Sequence, residues 1–177
     1  MPDGTEHSPP GRHKACAAYV PEPPLGGEHA SPPHGRGAGG EGLILAFDFG
    51  TQRIGVAIGE GLLGQARALT TIDSPANDAR FAAIGKLIVE WQPACLVVGL
   101  PLALDGAEHE MTARARRFAH QLEGRYRLPV ELVDERLTSV EAARGLKPGR
   151  DKSAKARIDA EAARLILQDW FEHAHTA

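Results

Sequence analysis

The chain has 177 residues, of which 42% are hydrophobic and 5% are aromatic, and its formal net charge is -3. This length suffices for one domain with a real core and is too short for two sizeable ones. The small negative charge argues against an indiscriminate polyanion binder, and no apolar run approaches the roughly 20 residues of a membrane span.

The first 41 residues are rich in proline and glycine and contain almost no large apolar side chains. Such a segment cannot bury enough surface to offset the entropy that is lost when it becomes ordered. We therefore expect a disordered leader over residues 1–41 and a single folded domain over residues 42–177.

The two cysteines lie far apart in the sequence. Cys16 is in the polar leader and Cys95 is in an apolar run, so neither a disulfide framework nor a zinc site is predicted. The amino terminus also lacks the apolar core of a secretory signal. Both features favour a protein of the reducing cytoplasm.

Three strands are predicted directly after the leader. Residues 43–49, 53–59 and 66–72 are apolar or alternate between apolar and polar, and short glycine-containing turns join them. Turns of this kind between successive strands favour an antiparallel meander.

Helices and strands alternate over the rest of the chain. Ser74-Pro75 offers a helix start, and apolar residues then recur at helical spacing up to Trp91. The elements that follow are a strand at 95–100, a helix at 111–122, a strand at 129–133, a short helix opened by a capping box from Thr138 to Glu141, and a last helix at about 158–171.

This order of elements predicts an α/β domain. A strand, helix, strand succession implies right-handed parallel crossovers. The sheet is then mixed and five-stranded, with three antiparallel strands followed by two parallel ones, and helices flank it. That topology matches the ribonuclease H-like fold.

One aspartate, Asp48, lies inside the otherwise apolar strand at 43–49. A buried carboxylate is costly unless a cation or hydrogen-bond donors compensate it, so something cationic should meet Asp48. The alternative is a structural aspartate that caps the turn at Gly50 through its side-chain oxygens.

Further carboxylates are predicted at the ends of two other elements. Asp134-Glu135 follows the last strand, and Asp159 lies in the opening of the last helix. The carboxyl ends of parallel strands share one edge of an open sheet, where ligands bind, so these acids can converge with Asp48. Taken alone, Asp159 is also explained by helix capping and the helix dipole.

Such a set of acids suits a magnesium or manganese ion. Both ions prefer carboxylate oxygens to histidine or cysteine ligands. Two ions roughly 4 Å apart would activate a water and stabilise the leaving oxygen of a phosphodiester. Metal-dependent nuclease chemistry is the resulting hypothesis.

Polar residues beside the acids are candidate phosphate contacts. Thr51 and Arg53 lie just after Asp48, and Arg136 follows the Asp134-Glu135 pair. A purely structural bridge between Arg136 and Asp134 is equally consistent with the sequence.

Two clusters of basic residues could follow a phosphate backbone. The first, at 144–157, includes Lys152 and Lys155 and lies in a segment that contains glycine and proline. The second, at 114–127, would lie on the outer face of a helix, which is typical of a solvated surface.

Four segments form an ordered set of motifs that resembles the YqgF (RuvX) family of ribonuclease H-like proteins. They are Leu45–Ala57, Val97–Leu102 with Asp105-Gly106, Val133–Thr138, and Asp159–Ala163 with Ile166–Gln168. The resemblance runs from about Leu43 to Phe171. It implies a cytoplasmic bacterial nuclease that matures the 5′ end of pre-16S ribosomal RNA, in a family described earlier as Holliday junction resolvases.

The resemblance also implies the site residues. Carried over by position, the catalytic and metal-binding acids fall on Asp48, on the Asp134-Glu135 pair and on Asp159. We favour Glu135 within the pair, although alternation at a strand end leaves the choice open.

Several functions remain compatible with these features. The first is a Mg²⁺- or Mn²⁺-dependent endonuclease that acts on structured RNA of the pre-ribosome. The same chemistry on a branched DNA junction would require a dimer, because two symmetric strands are cut; the sequence itself allows a monomer or a homodimer. A sugar-kinase or actin-like ATPase would need a second domain, and a non-catalytic RNA-binding or transcription-associated module would keep the acids for structure. No membrane partner is expected.

Overall fold

The computed structural model describes residues 42–137 and 152–174, apart from the side chains of Leu137, Lys152 and Ala174. The predicted leader and the predicted short helix at Thr138 lie outside these residues and stay predictions. The elements are β1 (Leu43–Phe49), β2 (Arg53–Glu60), β3 (Gln65–Asp73), α1 (Asn77–Trp91), β4 (Cys95–Leu100), α2 (Glu110–Tyr126), β5 (Val130–Asp134), a 3₁₀ turn (Glu135–Leu137) and α3 (Lys152–Ala174).

The strands form one five-stranded sheet in the order β3-β2-β1-β4-β5. β1 pairs with β2, and β2 with β3, in antiparallel directions. β1 pairs with β4, and β4 with β5, in parallel. The predicted mixed sheet with ribonuclease H-like topology is therefore confirmed, and the carboxyl ends of β1, β4 and β5 share one edge.

The helices cover both faces of this sheet. Residues on β1 alternate between the faces, so that Ile44 and Ala46 pack against α3, whereas Leu45 and Phe47 pack against α1 and α2. The same period of two places the next residue on the α3 side, Asp48, at the end of the strand.

The helix α3 lies unusually close to the sheet at Gly55. A Cβ atom added to Gly55 would lie only 1.8 Å from the backbone carbonyl oxygen of Asp159. Small residues on the helix itself, Ala160 and Ala163, are buried in the same region. Because no side chain separates the backbone of β2 from that of α3, Asp159 lies at the edge of the sheet.

The sequence prediction for α3 is wrong at its start. The helix begins at Lys152 and not at about 158, so Asp159 lies in its interior and not in its opening. Residues 152–157 are polar or small, and they gave no apolar periodicity, although most of them favour helix. The interior position removes the interpretation of Asp159 as a residue that caps the helix.

Two further observations concern the cysteines and the hydropathy of the helices. Cys95 is buried in β4, and Cys16 lies outside the described residues, so the sequence-based interpretation of the two cysteines stays a prediction. None of the three helices in residues 42–137 and 152–174 has the length and hydropathy of a membrane span.

The close contact at Gly55 can be tested by substitution. We expect Gly55→Ala to lower the free energy of unfolding by about 3 kcal/mol or more, because the added methyl group overlaps backbone that cannot move independently. Gly124→Ala is the matched control: it lies on the exposed side of α2 with open space around it, and should raise that free energy by about 0.5–1 kcal/mol. Urea unfolding of both variants measures the difference, and equal stabilities would contradict the proposed packing.

Candidate active site

A cleft of about 440 Å³ opens at the edge of the sheet where β1 and β5 end. The structure brings Asp48, Glu135 and Asp159 together along it, with Arg53 and Arg136. The other lining residues come from the β1–β2 turn, the β4–α2 loop and the start of α2: Phe49, Gly50, Thr51, Pro101, Leu102, His109 and Met111.

Asp48 is buried at the end of β1, with 7% of its surface exposed. It lies opposite Gly55 of β2 in the antiparallel register. On its other side, Phe47 pairs with Val98 of β4, so Gly99 is the residue that follows on that strand. Asp48 thus has a glycine beside it on each neighbouring strand.

Each of these glycines makes room for another acid. The backbone of Asp159 lies directly over Gly55. A Cβ atom on Gly99 would lie 2.4 Å from Oε1 of Glu135, so the carboxylate of Glu135 occupies the space above Gly99. Glu135 itself is only 4% exposed. The two glycines therefore leave room for the Asp159 backbone and the Glu135 carboxylate on the strands that flank Asp48.

Asp134 has a different environment from Glu135. Its carboxylate accepts hydrogen bonds from the backbone nitrogen and Nε of Arg136, each at 3.0 Å, and from Nη2 at 2.6 Å. The hydrogen bonds from the Arg136 side chain hold the pKa of Asp134 below its ordinary value of 3.8. This pairing supports the choice of Glu135 as the acid of the cleft, since Asp134 does not line it.

Arg136 accordingly matches the structural bridge that the sequence left as an alternative. It remains exposed and lines the cleft while it holds Asp134. The bridge and a contact with substrate phosphate are thus compatible, because about a third of the Arg136 side chain stays exposed while it holds Asp134.

Asp159 is paired with Arg53. Nε of Arg53 donates to Oδ2 of Asp159 at 2.6 Å, and the two side chains are 28% and 26% exposed. Arg53 is the first residue of β2, so the bond ties the last helix to the edge of the sheet. One of the predicted phosphate contacts is thus occupied by one of the predicted acids.

Arg80 is a contributor that sequence reasoning missed. It is only 4% exposed; its Nε donates to the carbonyl oxygen of Ser74 at 2.5 Å, and its Nη2 donates to that of Thr51. The guanidinium also lies over the ring of Phe49, and burial lowers the pKa of Arg80. It fixes the β1–β2 turn that borders the cleft, and nothing in the sequence distinguishes it from an arginine on a helix surface.

The basic clusters divide into two kinds. On α2, Arg114 and Arg116 are bound by Glu110 and Glu108 at 2.5 and 2.6 Å, as expected for a solvated helix face. Lys155 lies on α3 one turn before Asp159 and hence on the same side of the helix. The side chain of Lys152 lies outside the described residues, as does the part of that cluster before it.

The donor set fits magnesium or manganese by type, because three carboxylates, two of them buried, line one solvent-open cleft. Their present spacing does not form a coordination shell: among the described residues, no three or more acidic, histidine or cysteine side chains are grouped closely enough to hold a metal ion. In this arrangement Oδ2 of Asp159 is bound to Arg53. His109 also lines the cleft, at the end of the β4–α2 loop, and no sequence signal indicated that.

Known proteins resemble the chain over the folded domain. The model of a family described as "RuvX: Holliday junction resolvase" matches residues 42–173. A protein named "Putative pre-16S rRNA nuclease" from Dechloromonas aromatica is 58% identical over 136 residues, which are 76% of this chain and 93% of that protein. A protein of the same name from Methylobacillus flagellatus is 56% identical over 137 residues, with shares of 76% and 94%.

Among solved structures, RuvC from Thermus thermophilus is 16% identical, with a TM-score of 0.46 and coverage of 76% of this chain and 96% of that one.

The ionic pair of Asp134 and Arg136 leads to a prediction about pH. Because the pKa of Asp134 is depressed in the folded protein, the pair stabilises the fold above the ordinary pKa of 3.8, and its contribution is lost as the pH falls through the lower folded value. We expect Arg136→Gln to have a lower melting temperature than the unsubstituted protein at pH 7. The gap between the two melting temperatures should narrow steadily below pH 4. Thermal unfolding without added metal measures it; a difference that is independent of pH would contradict the pairing.

Proposed function

This chain belongs to the RuvX family, and we propose on that basis that it is a nuclease that cuts precursor 16S ribosomal RNA, with Mg²⁺ or Mn²⁺ as its cofactor. The observation that carries the proposal is the meeting of Asp48, Glu135 and Asp159 in one cleft. The substrate is supported by the name pre-16S rRNA nuclease that relatives of 56–58% identity bear.

The three acids would hold the metal. When bound, a divalent ion polarises the attacking water and offsets charge on the leaving oxygen of the phosphodiester. Asp48 and Glu135 are buried, so their side chains would lose little conformational freedom when a cation binds them. Because Gly55 and Gly99 have no side chains, nothing from the strands beneath the site would prevent the carboxylates from approaching one another.

Basic residues in and beside the cleft would orient the substrate. Arg136 is exposed at the rim, and Lys155 lies a helical turn from Asp159. Guanidinium and ammonium groups at these places would contact phosphates on either side of the scissile bond. Apolar residues, Phe49, Leu102 and Met111, form part of the wall and would limit access of bulk water to the reacting groups.

The partners follow from this substrate. The protein would bind structured RNA of the pre-ribosome, in the cytoplasm where ribosomes are assembled. A single cut in one strand needs one active site, so a monomer is sufficient and a homodimer is compatible.

A Holliday junction resolvase is the second candidate, because the description of the family model names that activity. The chemistry at the acids would be the same, whereas the assembly would differ. Two symmetric strands of a four-way junction must be cut, which requires a homodimer with two clefts.

One experiment separates these functions. The purified protein is incubated with precursor 16S rRNA and with a four-way DNA junction in parallel, with and without Mg²⁺ or Mn²⁺. Metal-dependent cutting of the RNA alone supports the processing nuclease, and cutting of the junction supports the resolvase. Metal-independent binding of RNA without any cutting would overturn both and favour an RNA-binding module.

Substitution of Asp48 tests the acidic site. We expect Asp48→Asn to lower the cleavage rate more than about 100-fold, the range found when one catalytic group is removed. Its stability should be unchanged or slightly higher, because repulsion among the carboxylates is reduced. Asp134→Asn is the matched control and should cut far faster than Asp48→Asn, since Asp134 does not line the cleft. Loss of cleavage in both variants would contradict the choice of Glu135 over Asp134.

The role of Lys152 and Lys155 is tested by the salt dependence of binding. We expect the double variant Lys152→Gln, Lys155→Gln to bind RNA more weakly and to reduce the slope of log K against log salt by about 1 to 2, one unit for each phosphate that a lysine no longer neutralises. The control removes the same charge on α2 through Arg114→Gln and Arg116→Gln, whose guanidinium groups are bound to glutamates. Filter binding over a salt series gives the slopes, and equal slopes in both double variants would assign the lysines to the solvated surface.

A further inference from the structure

Arg53 and Asp159 form the one described ion pair that joins two elements across the floor of the cleft. Arg53 stands at the start of β2, and Asp159 lies in α3. The described contact is one hydrogen bond, from Nε to Oδ2 at 2.6 Å. The pair is therefore not bidentate. A bidentate pair, with two parallel hydrogen bonds, is the stronger arrangement of a guanidinium and a carboxylate.

The backbone keeps this pair in place from below. Gly55, two residues after Arg53, is in contact with the backbone of Asp159, since a Cβ atom there would lie 1.8 Å from the carbonyl oxygen. The position of Asp159 is therefore set by helix packing and not by Arg53. The arginine side chain is free to leave without moving the carboxylate far.

A guanidinium and a divalent cation compete for binding to such a carboxylate. Both are attracted by the same oxygen, and both carry positive charge, so they repel each other when they share it at these distances. The described residues contain no group of three ligands ready to hold a metal, and the oxygen of Asp159 that Arg53 binds is one that a metal shell at this cleft would use.

We propose that Arg53 and the divalent ion compete for Asp159, so that metal binding releases the Arg53 guanidinium into the cleft, where it contacts the substrate phosphate. This inference rests on the proposed metal-dependent function. Arg53 balances the charge of Asp159 in the metal-free protein, weakens metal binding, and becomes a positioning residue for substrate once displaced. Its planar fork of donors suits a phosphate group.

Linkage makes the competition measurable. If Arg53 must give up Asp159 before the ion binds, then removal of its charge must tighten metal binding by the same factor by which metal weakens the pair. We expect Arg53→Gln to bind Mn²⁺ about tenfold more tightly, within the range of typical coupling between two sites. Isothermal titration calorimetry of the full chain with MnCl₂ at fixed ionic strength measures this change.

The control must separate competition from general charge. Arg136→Gln also removes one positive charge from the wall of the cleft, but Arg136 is bound to Asp134 and not to an acid of the proposed metal site. It should tighten Mn²⁺ binding by less than about twofold, the change that a screened charge makes. Equal gains in both variants would overturn the competition and leave only a general electrostatic effect.

A second measurement uses the unsubstituted protein and does not depend on how the variants fold. The Nε–H resonance of Arg53, assigned by its absence in Arg53→Lys, is followed by NMR during titration with MgCl₂. Release from Asp159 should shift this resonance in step with metal binding. A resonance that stays unchanged at saturating Mg²⁺ would overturn the proposal.

The outcomes also separate this inference from the function on which it rests. Mn²⁺ binding that is lost in Asp48→Asn but equal in Arg53→Gln and the unsubstituted protein would refute the role of Arg53 and leave the metal-dependent nuclease standing. Absence of Mn²⁺ binding in every form would refute both.

Discussion

The absence of side chains at Gly55 and Gly99 is the constraint on which the candidate site depends. These residues lie on the strands that flank Asp48, one on each side. A methyl group at the first would overlap the backbone of Asp159, and a methyl group at the second would overlap the carboxylate of Glu135. Segments distant in the sequence can therefore place Glu135 and Asp159 along the same cleft as Asp48. The close packing of α3 follows from the same clearance, because the helix can rest directly on β2.

The cations around these acids are held in two ways that have different consequences. Arg136 reaches the neighbouring Asp134 through three of its nitrogen atoms, which makes a compact local unit that shapes the rim of the cleft. Arg53 reaches Asp159 through one nitrogen and from a different element. A contact that consists of one hydrogen bond, between residues whose backbones belong to two different elements, is easier to exchange for another ligand than a contact through several bonds. Arginine and aspartate are thus paired locally at the rim of the cleft in one place and between β2 and α3 in the other.

Much of this arrangement could be predicted from the sequence, because the signals involved are local. Alternation and glycine turns define the strands, and a carboxylate in an apolar strand is conspicuous wherever it occurs. The features that were missed depend on the third dimension. Arg80 is an ordinary helix residue until the fold buries it beneath the β1–β2 turn, and Gly55 resembles any glycine in a strand until α3 is laid over it. The early turns of α3 carry no apolar stripe, so their helical structure had no periodic signature, and only the docked helix shows that Asp159 lies in its interior.

The position of Asp159 in the last helix determines at which stage of synthesis the candidate site is completed. Translation runs from the amino to the carboxyl end, so every strand of the sheet leaves the ribosome before α3 does. A nascent chain with a finished sheet already holds Asp48 and Glu135 yet lacks the third acid, and its cleft is completed only when the helix docks over Gly55. For a nuclease proposed to act on the RNA of ribosomes, this order of synthesis delays completion of the cleft until α3 has emerged from the ribosome that makes the chain.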